Sequence, residues 1–264
     1  MSHPILVVCE SPYDFDVCSR YIDRTIEDYG PDWAKGDLDA ARVYIGINAT
    51  SDVILETFVR WGHIGKVTDT LTERDKHRKE IIQTRPFGSG FPKHPYCIYF
   101  ERFVNAVFFA DGSQKPDAVV LLLDADNDEN RRNGLQSLNT HYQKFGTPIA
   151  IGVPDPETEC WELAGFEHKL TDEEAKRIDE VERDLDGVHP IRQSHRLHAA
   201  KASDVRHPKH VLSCLTCDVA SRRKQCHDAP FDLLKRNGRE NGLSDFLVLL
   251  SNRTIRGIFG GKRE

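Results

Sequence analysis

The chain has 264 residues, of which 39% are hydrophobic and 30% charged, and its formal net charge is −6 at pH 7. No repeat of tens of residues is visible, which excludes a solenoid, and most of the seven cysteines are isolated, which excludes a disulfide framework. The longest apolar run near the middle, Ala118 to Leu123, is too short to cross a bilayer. We expect a cytoplasmic protein without a signal peptide and without a membrane partner.

The first predicted element is a strand over Ile5 to Cys9, a continuous apolar run of the kind that is buried on both faces of a sheet. The next residues have the pattern of a helix N-terminus, with Ser11 as the cap, Pro12 in the first turn and Asp14 as the capping-box acid. The sequence therefore puts Glu10 at the C-terminal end of a strand, just before a helix.

The middle of the chain predicts a second strand over Arg42 to Ile47 and a helix over Ser51 to Trp61. Residues 62–83 are polar and predict a surface helix or an extended excursion. Residues 85–96 contain three prolines and two glycines and predict a loop. The apolar segment from Ile98 to Ala110 predicts a helix packed on the sheet.

Two more buried strands are predicted, over Ala118 to Leu123 and over Pro148 to Val153, with a helix through Leu135 between them. Thr171 and Glu174 form the capping box of an exposed helix. Strands that alternate with helices predict an α/β fold with a mostly parallel sheet and helices on both faces.

Charge and apolar pattern both change after residue 188. Residues 189–264 contain 15 basic and 7 acidic residues, a net charge of +8, whereas residues 1–188 carry −14. We therefore predict a catalytic domain over residues 1–188, with an insertion near 62–96, and a less regular basic C-terminal segment over 189–264. The basic segment is either a contact for a polyanion or a solvated surface.

Acidic residues follow three of the predicted strands. Because the carboxyl ends of parallel strands form the ligand-binding edge of an α/β sheet, we expect a site for a divalent cation there. A solvated acidic loop before a helix is the alternative. An EF-hand calcium loop is excluded, since Glu129 and Leu135 stand where it needs glycine and glutamate. The acidic residues are Glu10, Asp124, Asp126, Asp128, Glu157 and Glu159.

Two of these segments, ILVVCE and VVLLLDADND, resemble the Toprim fold of topoisomerases, bacterial primases and overcoming-lysogenization-defect (OLD) nucleases. The resemblance covers roughly residues 4–166. It implies that Glu10 is a general acid/base and that Asp124 and Asp126 hold Mg²⁺ (or Mn²⁺), with Asp128 as a further candidate ligand. The segment ETECWELAG is similar to a Toprim-like branch with a Pro-x-x-x-Glu-x-Trp motif, which adds Glu159 to the candidates.

The chain departs from the family pattern in two places. Ser11 stands where the family often has glycine, and the interval from Glu10 to Asp124 is long, which implies an insertion. Both departures leave the carboxylates in place.

The resemblance implies a Mg²⁺-dependent nuclease that cleaves DNA or RNA. By analogy with OLD nucleases it also implies a separate ATPase partner, for example in phage defence, since the chain has no Gly-x4-Gly-Lys-Ser/Thr motif. We expect basic residues of the C-terminal segment to hold the nucleic-acid backbone. These are Lys201, Arg206, Lys209, Arg222, Arg223 and Lys224.

Two alternatives stay open. In a haloacid-dehalogenase-type phosphatase, Asp124 would be the nucleophile and Asp126 the acid/base, although Asp128 stands where that family usually has threonine. The other alternative is a non-catalytic Toprim-like partner subunit.

One further cluster has the residue types of a zinc site. The pair Cys214 and Cys217 has Cys-x2-Cys spacing, and Cys226 and His227 follow it closely. Adjacent ligands rarely serve the same ion, so unliganded thiols and surface histidines are the favoured interpretation and structural Zn²⁺ the alternative.

Overall fold

The computed structural model describes residues 2–47, 57–73, 94–109, 115–145 and 148–260. Their contacts divide the chain into two compact units. The sheet unit comprises residues 1–123, 130–151 and 249–264, and the helical unit comprises residues 124–129 and 152–248.

The described residues form a five-stranded sheet of β1 (His3–Cys9), β2 (Arg42–Ile45), β3 (Val59–Arg60), β4 (Ala118–Leu122) and β5 (Ile149–Gly152). The strand order is β2-β1-β4-β5, and β3 also pairs with β1. Strand β1 is parallel to β2, β3 and β4. Strands β4 and β5 are buried along their whole length, as is typical of strands covered on both faces. The predicted α/β class with a mostly parallel sheet is confirmed.

The α-helices of the described residues range in length from four to 18 residues. They are α1 (Pro12–Tyr29), α2 (Asp32–Lys35), α3 (Leu38–Ala41), α4 (Ile64–Glu73), α5 (Pro95–Phe109), α6 (Glu129–Phe145), α7 (Glu159–Ala164), α8 (Asp172–Asp184), α9 (Pro208–Thr216), α10 (Ala220–His227), α11 (Phe231–Asn237), α12 (Leu243–Leu249) and α13 (Arg256–Phe259). A π-helix over Leu250–Ile255 joins the last two. None of the helices in the described ranges is both long enough and apolar enough to cross a membrane.

The predicted start of α1 is confirmed. The Ser11 hydroxyl accepts a hydrogen bond of 3.2 Å from the Asp14 amide, and the Asp14 carboxylate accepts one of 2.9 Å from the Ser11 amide. This reciprocal capping box fixes the backbone immediately after Glu10.

The helix predicted over Ser51 to Trp61 is wrong where the structure describes it. Val59–Arg60 forms strand β3, which pairs with Val8 and Cys9 beyond the end of β2. Pairing with the remaining edge of β1 outweighs local helix propensity there. Residues 48–56 and 74–93 lie outside the described residues. Most of the predicted insertion near 62–96 and most of the predicted loop over 85–96 fall in the second of these ranges. The last two residues of the predicted loop, from Pro95, begin α5.

The contacts of the described residues do not divide the chain at the predicted boundary after residue 188, because one apolar core contains residues from both sides of it. Residues 152–188 pack with the basic segment up to residue 248, and residues 249–264 return to the sheet unit. The basic segment is mostly helical rather than less regular. Its described α-helices have four to nine residues, which is too short for a clear apolar period. The shared core contains Leu163, Phe166, Ile178, Leu185, Val188, Ile191, Leu197, Val211, Leu212, Leu215 and Cys226.

Candidate functional site

Glu10 is the first residue after β1, and its carboxylate is held by a partner far away in the sequence. Its Oε1 lies 2.6 Å from Nη2 of Arg131, in the first turn of α6. The Arg131 side chain is only 8% exposed, whereas that of Glu10 is 36% exposed. The pair therefore presents Glu10 to solvent and keeps the arginine inside the sheet unit.

The aspartates after β4 lie on a tight turn of the helical unit. Asp126 and Asn127 have left-handed backbone angles, with φ of 52° and 57°, which aspartate and asparagine tolerate better than other non-glycine residues. The amides of Ala125 and Asp126 donate hydrogen bonds of 2.8 and 3.0 Å to the carbonyls of Pro154 and Pro156. The turn is thus fixed to the segment that follows β5.

A side-chain contact also joins these two acidic segments. The hydroxyl of Thr158, which is fully buried, donates a hydrogen bond of 2.7 Å to Oδ1 of Asp124. Asp124 is half-buried, whereas Asp126 and Asp128 are exposed. The three aspartates therefore differ in exposure, and the Thr158 hydroxyl orients Asp124.

Glu157 and Glu159 lie close to the side chains of His207 and Lys209 at the start of α9. Nε2 of His207 is 3.5 Å from Oε1 of Glu157, and Nζ of Lys209 is 3.7 Å from Glu157 and 3.9 Å from Glu159. Because the Glu159 side chain is buried, a nearby cation offsets part of the cost of its charge. Lys209, predicted to contact nucleic acid, thus lies beside two of the acidic residues.

Negative charges from both acidic segments act on the thiol of Cys160. Burial raises the pKa of its thiol well above the usual value, and the negative charges of Glu159, Glu157 and Asp124 raise this pKa further. These three carboxylates are therefore close enough to act on one buried group, and they also repel one another.

The acidic residues have the donors that magnesium prefers, although no group of them forms a closed metal cage. Among the described residues, no three His, Cys, Asp or Glu side chains are gathered closely enough to hold a metal ion. Mg²⁺ usually keeps several waters and takes only one or two carboxylates directly. The half-buried Asp124 and the exposed Asp126 offer donors of this kind.

The four residues of the zinc hypothesis have separate partners. Cys214 lies 3.4 Å from Nε2 of His210, and the exposed Cys217 lies beside the guanidinium of Arg177. Cys226 is buried in the core and donates a hydrogen bond to the carbonyl of Arg222, while His227 pairs with Glu162 at 3.2 Å. In the described structure these side chains do not surround a common point.

Two of the six basic residues, Arg222 and Arg223, bind groups inside the protein. Arg222 is buried, and its guanidinium pairs with Glu174 at 2.5 Å and donates to the carbonyls of Phe166 and His168. Arg223 donates two hydrogen bonds to the buried carboxylate of Glu162. These contacts place Arg222 inside the protein, where it cannot reach a phosphate backbone, and direct Arg223 inward.

The other four basic residues are more accessible. Lys201, Lys209 and Lys224 are exposed, and Arg206 is half-buried beside Asp186. The predicted contact surface is therefore reduced to these four side chains.

Sequence reasoning missed the residue that anchors the Glu157–Glu159 segment. Asn241 is buried, and its side-chain amide donates to the carbonyl of Cys160 at 2.8 Å and to the hydroxyl of Ser194 at 3.0 Å. The main-chain carbonyl of Asn241 accepts hydrogen bonds from the main-chain amide of Asp155 and from the indole N–H of Trp161. The sequence shows only an Asn-Gly pair, which indicates a turn.

Trp161 lies in the core next to this anchor. It is fully buried, and its ring stacks on Phe246 with 4.9 Å between centroids. Gly242, with φ of 86°, passes so close to Val153 that a Cβ would lie 2.4 Å from the Val153 carbonyl oxygen. Only glycine fits this close approach.

Comparison of the chain with protein-family models, with curated proteins and with solved structures found no match.

Proposed function

We propose that the chain is a Toprim-type nuclease that uses Mg²⁺ or Mn²⁺ to cleave phosphodiester bonds of DNA or RNA. The observation that carries the proposal is the pairing of β1 with β4, which are parallel neighbours in register from Ile5–Ala118 to Val8–Leu121. Because both strands run in the same direction, the chain leaves both at the same edge of the sheet. Glu10 follows directly after one strand, and Leu123 and Asp124 follow the other.

The proposed roles follow from the surroundings of each carboxylate. Asp124, oriented by Thr158, and Asp126, on the exposed turn, hold the metal, with Asp128 and Glu159 as further candidate ligands. When bound, Mg²⁺ supplies positive charge to the scissile phosphate and favours deprotonation of a bound water. Glu10, partly exposed at the end of β1, transfers a proton as general acid/base.

Positive side chains of the helical unit hold the substrate backbone in this proposal. Lys201, Arg206, Lys209 and Lys224 are the residues that the structure leaves accessible. Contacts to phosphates position a nucleic acid without selecting a sequence, so we expect cleavage of many sequences. A separate ATPase subunit remains part of the proposal by analogy with OLD nucleases.

The proposal is tested by assaying one purified protein on several phosphate substrates. We expect the wild type to cleave supercoiled, linear or single-stranded nucleic acid only with Mg²⁺ or Mn²⁺. Glu10→Gln is expected to reduce the rate by about 10²-fold or more, because proton transfer is lost. Glu27→Gln, an equivalent change at an exposed position of α1, is the matched control and leaves the rate unchanged.

The same assay separates the alternatives. Hydrolysis of a phosphomonoester such as p-nitrophenyl phosphate through a phosphoryl-aspartate at Asp124 would indicate the haloacid-dehalogenase-type phosphatase and contradict the proposal. Absence of cleavage of every substrate would indicate a non-catalytic partner subunit.

A further inference from the structure

The ion pair between Glu10 and Arg131 joins residues that are 121 positions apart in the sequence. The distance of 2.6 Å between Oε1 and Nη2 is that of a strong charge-assisted hydrogen bond. Arg131 lies in the first turn of α6, where the helix dipole disfavours a positive charge. Stability of the helix therefore does not explain an arginine at this position.

Arg131 is itself held by its neighbours in the sheet unit. Its guanidinium carbon lies 5.3 Å from the centroid of the Tyr96 ring, and the Tyr96 ring stacks on His94 at 5.1 Å. His94 packs against α6 at Gly134, where a Cβ would lie 2.9 Å from the imidazole. These contacts hold the Arg131 side chain independently of Glu10. The arginine can therefore orient the Glu10 carboxylate.

The main chain of Glu10 is also fixed on both sides. Cys9, before it, pairs with Arg60 of β3, and Ser11, after it, is the N-cap of α1. The side-chain torsions of Glu10 are the freedom that remains, and an ion pair with a rigid, buried guanidinium removes much of it.

We infer that Arg131 is the positioning residue of Glu10, and this inference rests on the proposed nuclease function. Arg131 holds the Glu10 carboxylate in the orientation needed for proton transfer, and it acts through Glu10 rather than on the substrate. Groups that support a catalytic side chain in this way change activity by about 10- to 100-fold when removed.

The experiment is a double-mutant cycle on cleavage, with Arg131→Met, Glu10→Gln and the double variant. We expect Arg131→Met to lower kcat by about 10- to 100-fold with KM nearly unchanged, and Arg131→Lys, which keeps the charge but not the planar fork, to recover part of the loss. In the Glu10→Gln background, Arg131→Met is expected to change the rate by less than about twofold, because its partner is already removed. Arg42→Met, which removes a similarly buried arginine from its ion pair with Asp23 in the same unit, is the matched control and leaves kcat unchanged.

Three results would overturn the inference. They are a wild-type kcat in Arg131→Met, an effect of the same size with and without Glu10, and an equal loss in Arg42→Met. If the wild type cleaves nothing, the proposed function fails by itself, and the cycle is then measured on the free energy of unfolding. A coupling between Glu10 and Arg131 there supports the positioning contact, and its absence contradicts it.

Discussion

The hydroxyl of Thr158 donates a hydrogen bond of 2.7 Å to Oδ1 of Asp124. Thr158 is fully buried, so this donor has a fixed place, and it defines the orientation of the first aspartate after β4. The contact connects the two acidic segments of the helical unit through side chains that are 34 positions apart.

Removal of this hydroxyl is expected to weaken both the fold and metal binding. Thr158→Val keeps the shape of the side chain but loses the hydrogen bond to a charged group, which costs about 1–2 kcal/mol in the free energy of unfolding. We expect Mg²⁺ affinity to fall by about 10-fold, because Asp124 is no longer oriented. Urea denaturation and calorimetric titration measure the two effects. Thr158→Ser retains the hydroxyl and is the control, and equal Mg²⁺ affinity of the Val and Ser variants would contradict the role of the contact.

Glu159 is expected to matter more for activity than Glu157. The Glu159 carboxylate is the more deeply buried of the two, and Lys209 lies beside both. Glu159→Gln is expected to lower the metal-dependent rate by about 10-fold, and Glu157→Gln by less than about threefold. The two substitutions remove the same charge, so each is the control for the other in a cleavage assay. Small and equal effects would place both glutamates outside the chemistry.

The neighbouring residues Arg222 and Lys224 are expected to behave in opposite ways. Arg222→Met breaks a buried ion pair with Glu174, which costs about 3–5 kcal/mol in the free energy of unfolding. Lys224→Met, at an exposed position of the same helix, leaves stability unchanged. We expect it to lower the slope of log affinity for nucleic acid against log salt by about 1, because one phosphate contact is lost. A salt slope that is identical in Lys224→Met and wild type would exclude Lys224 from the contact surface.

The buried carboxyl of Glu162 predicts loss of stability in acid. Burial by itself raises its pKa, but the hydrogen bonds from His227 and Arg223 outweigh this effect and hold the pKa below the usual 4.5. Because the pKa is lower in the folded than in the unfolded state, the ionised group stabilises the fold above about pH 4.5, and this contribution disappears as the pH falls through the lowered pKa.

Urea denaturation between pH 7 and pH 3 measures this contribution. The difference in free energy of unfolding between wild type and Glu162→Gln is expected to be about 3 kcal/mol at pH 7 and to shrink below pH 4.5. Glu180→Gln, on the exposed side of α8, is the control and shows no such trend. A difference that does not depend on pH would contradict the assignment of the lowered pKa.

The elements that sequence analysis found are those whose signal is local. The capping boxes at Ser11 and Thr171 involve residues three positions apart, and the buried strands before Glu10 and Asp124 are continuous apolar runs. Such patterns depend on neighbours along the chain, so they can be recognised without the fold.

The remaining features depend on contacts between distant parts of the chain. Arg131 meets Glu10, and Asn241 anchors Cys160, across 121 and 81 positions respectively. Arg222 has the charge of a surface residue but is buried by Glu174 and by two carbonyl groups. The spacing of residues along the chain does not indicate which arginine forms an ion pair inside the protein. These contacts can be identified only in the folded structure.

The central claim is that a metal ion held by Asp124 and Asp126 drives phosphodiester cleavage, and the Asp124→Asn/Asp126→Asn double variant tests it most directly. Asparagine keeps an acceptor for Thr158 and tolerates the left-handed backbone at position 126, so the substitutions remove charge without removing the local structure. The measurement is the rate of plasmid cleavage over a Mg²⁺ titration, with thermal unfolding of the same samples in EDTA.

We predict that the wild-type rate saturates with Mg²⁺ and that the double variant loses about 10²-fold or more of it. Its Tm in EDTA is expected to be equal or higher, because repulsion among the carboxylates is relieved. A double variant that cleaves as fast as the wild type, or that unfolds, would contradict the account.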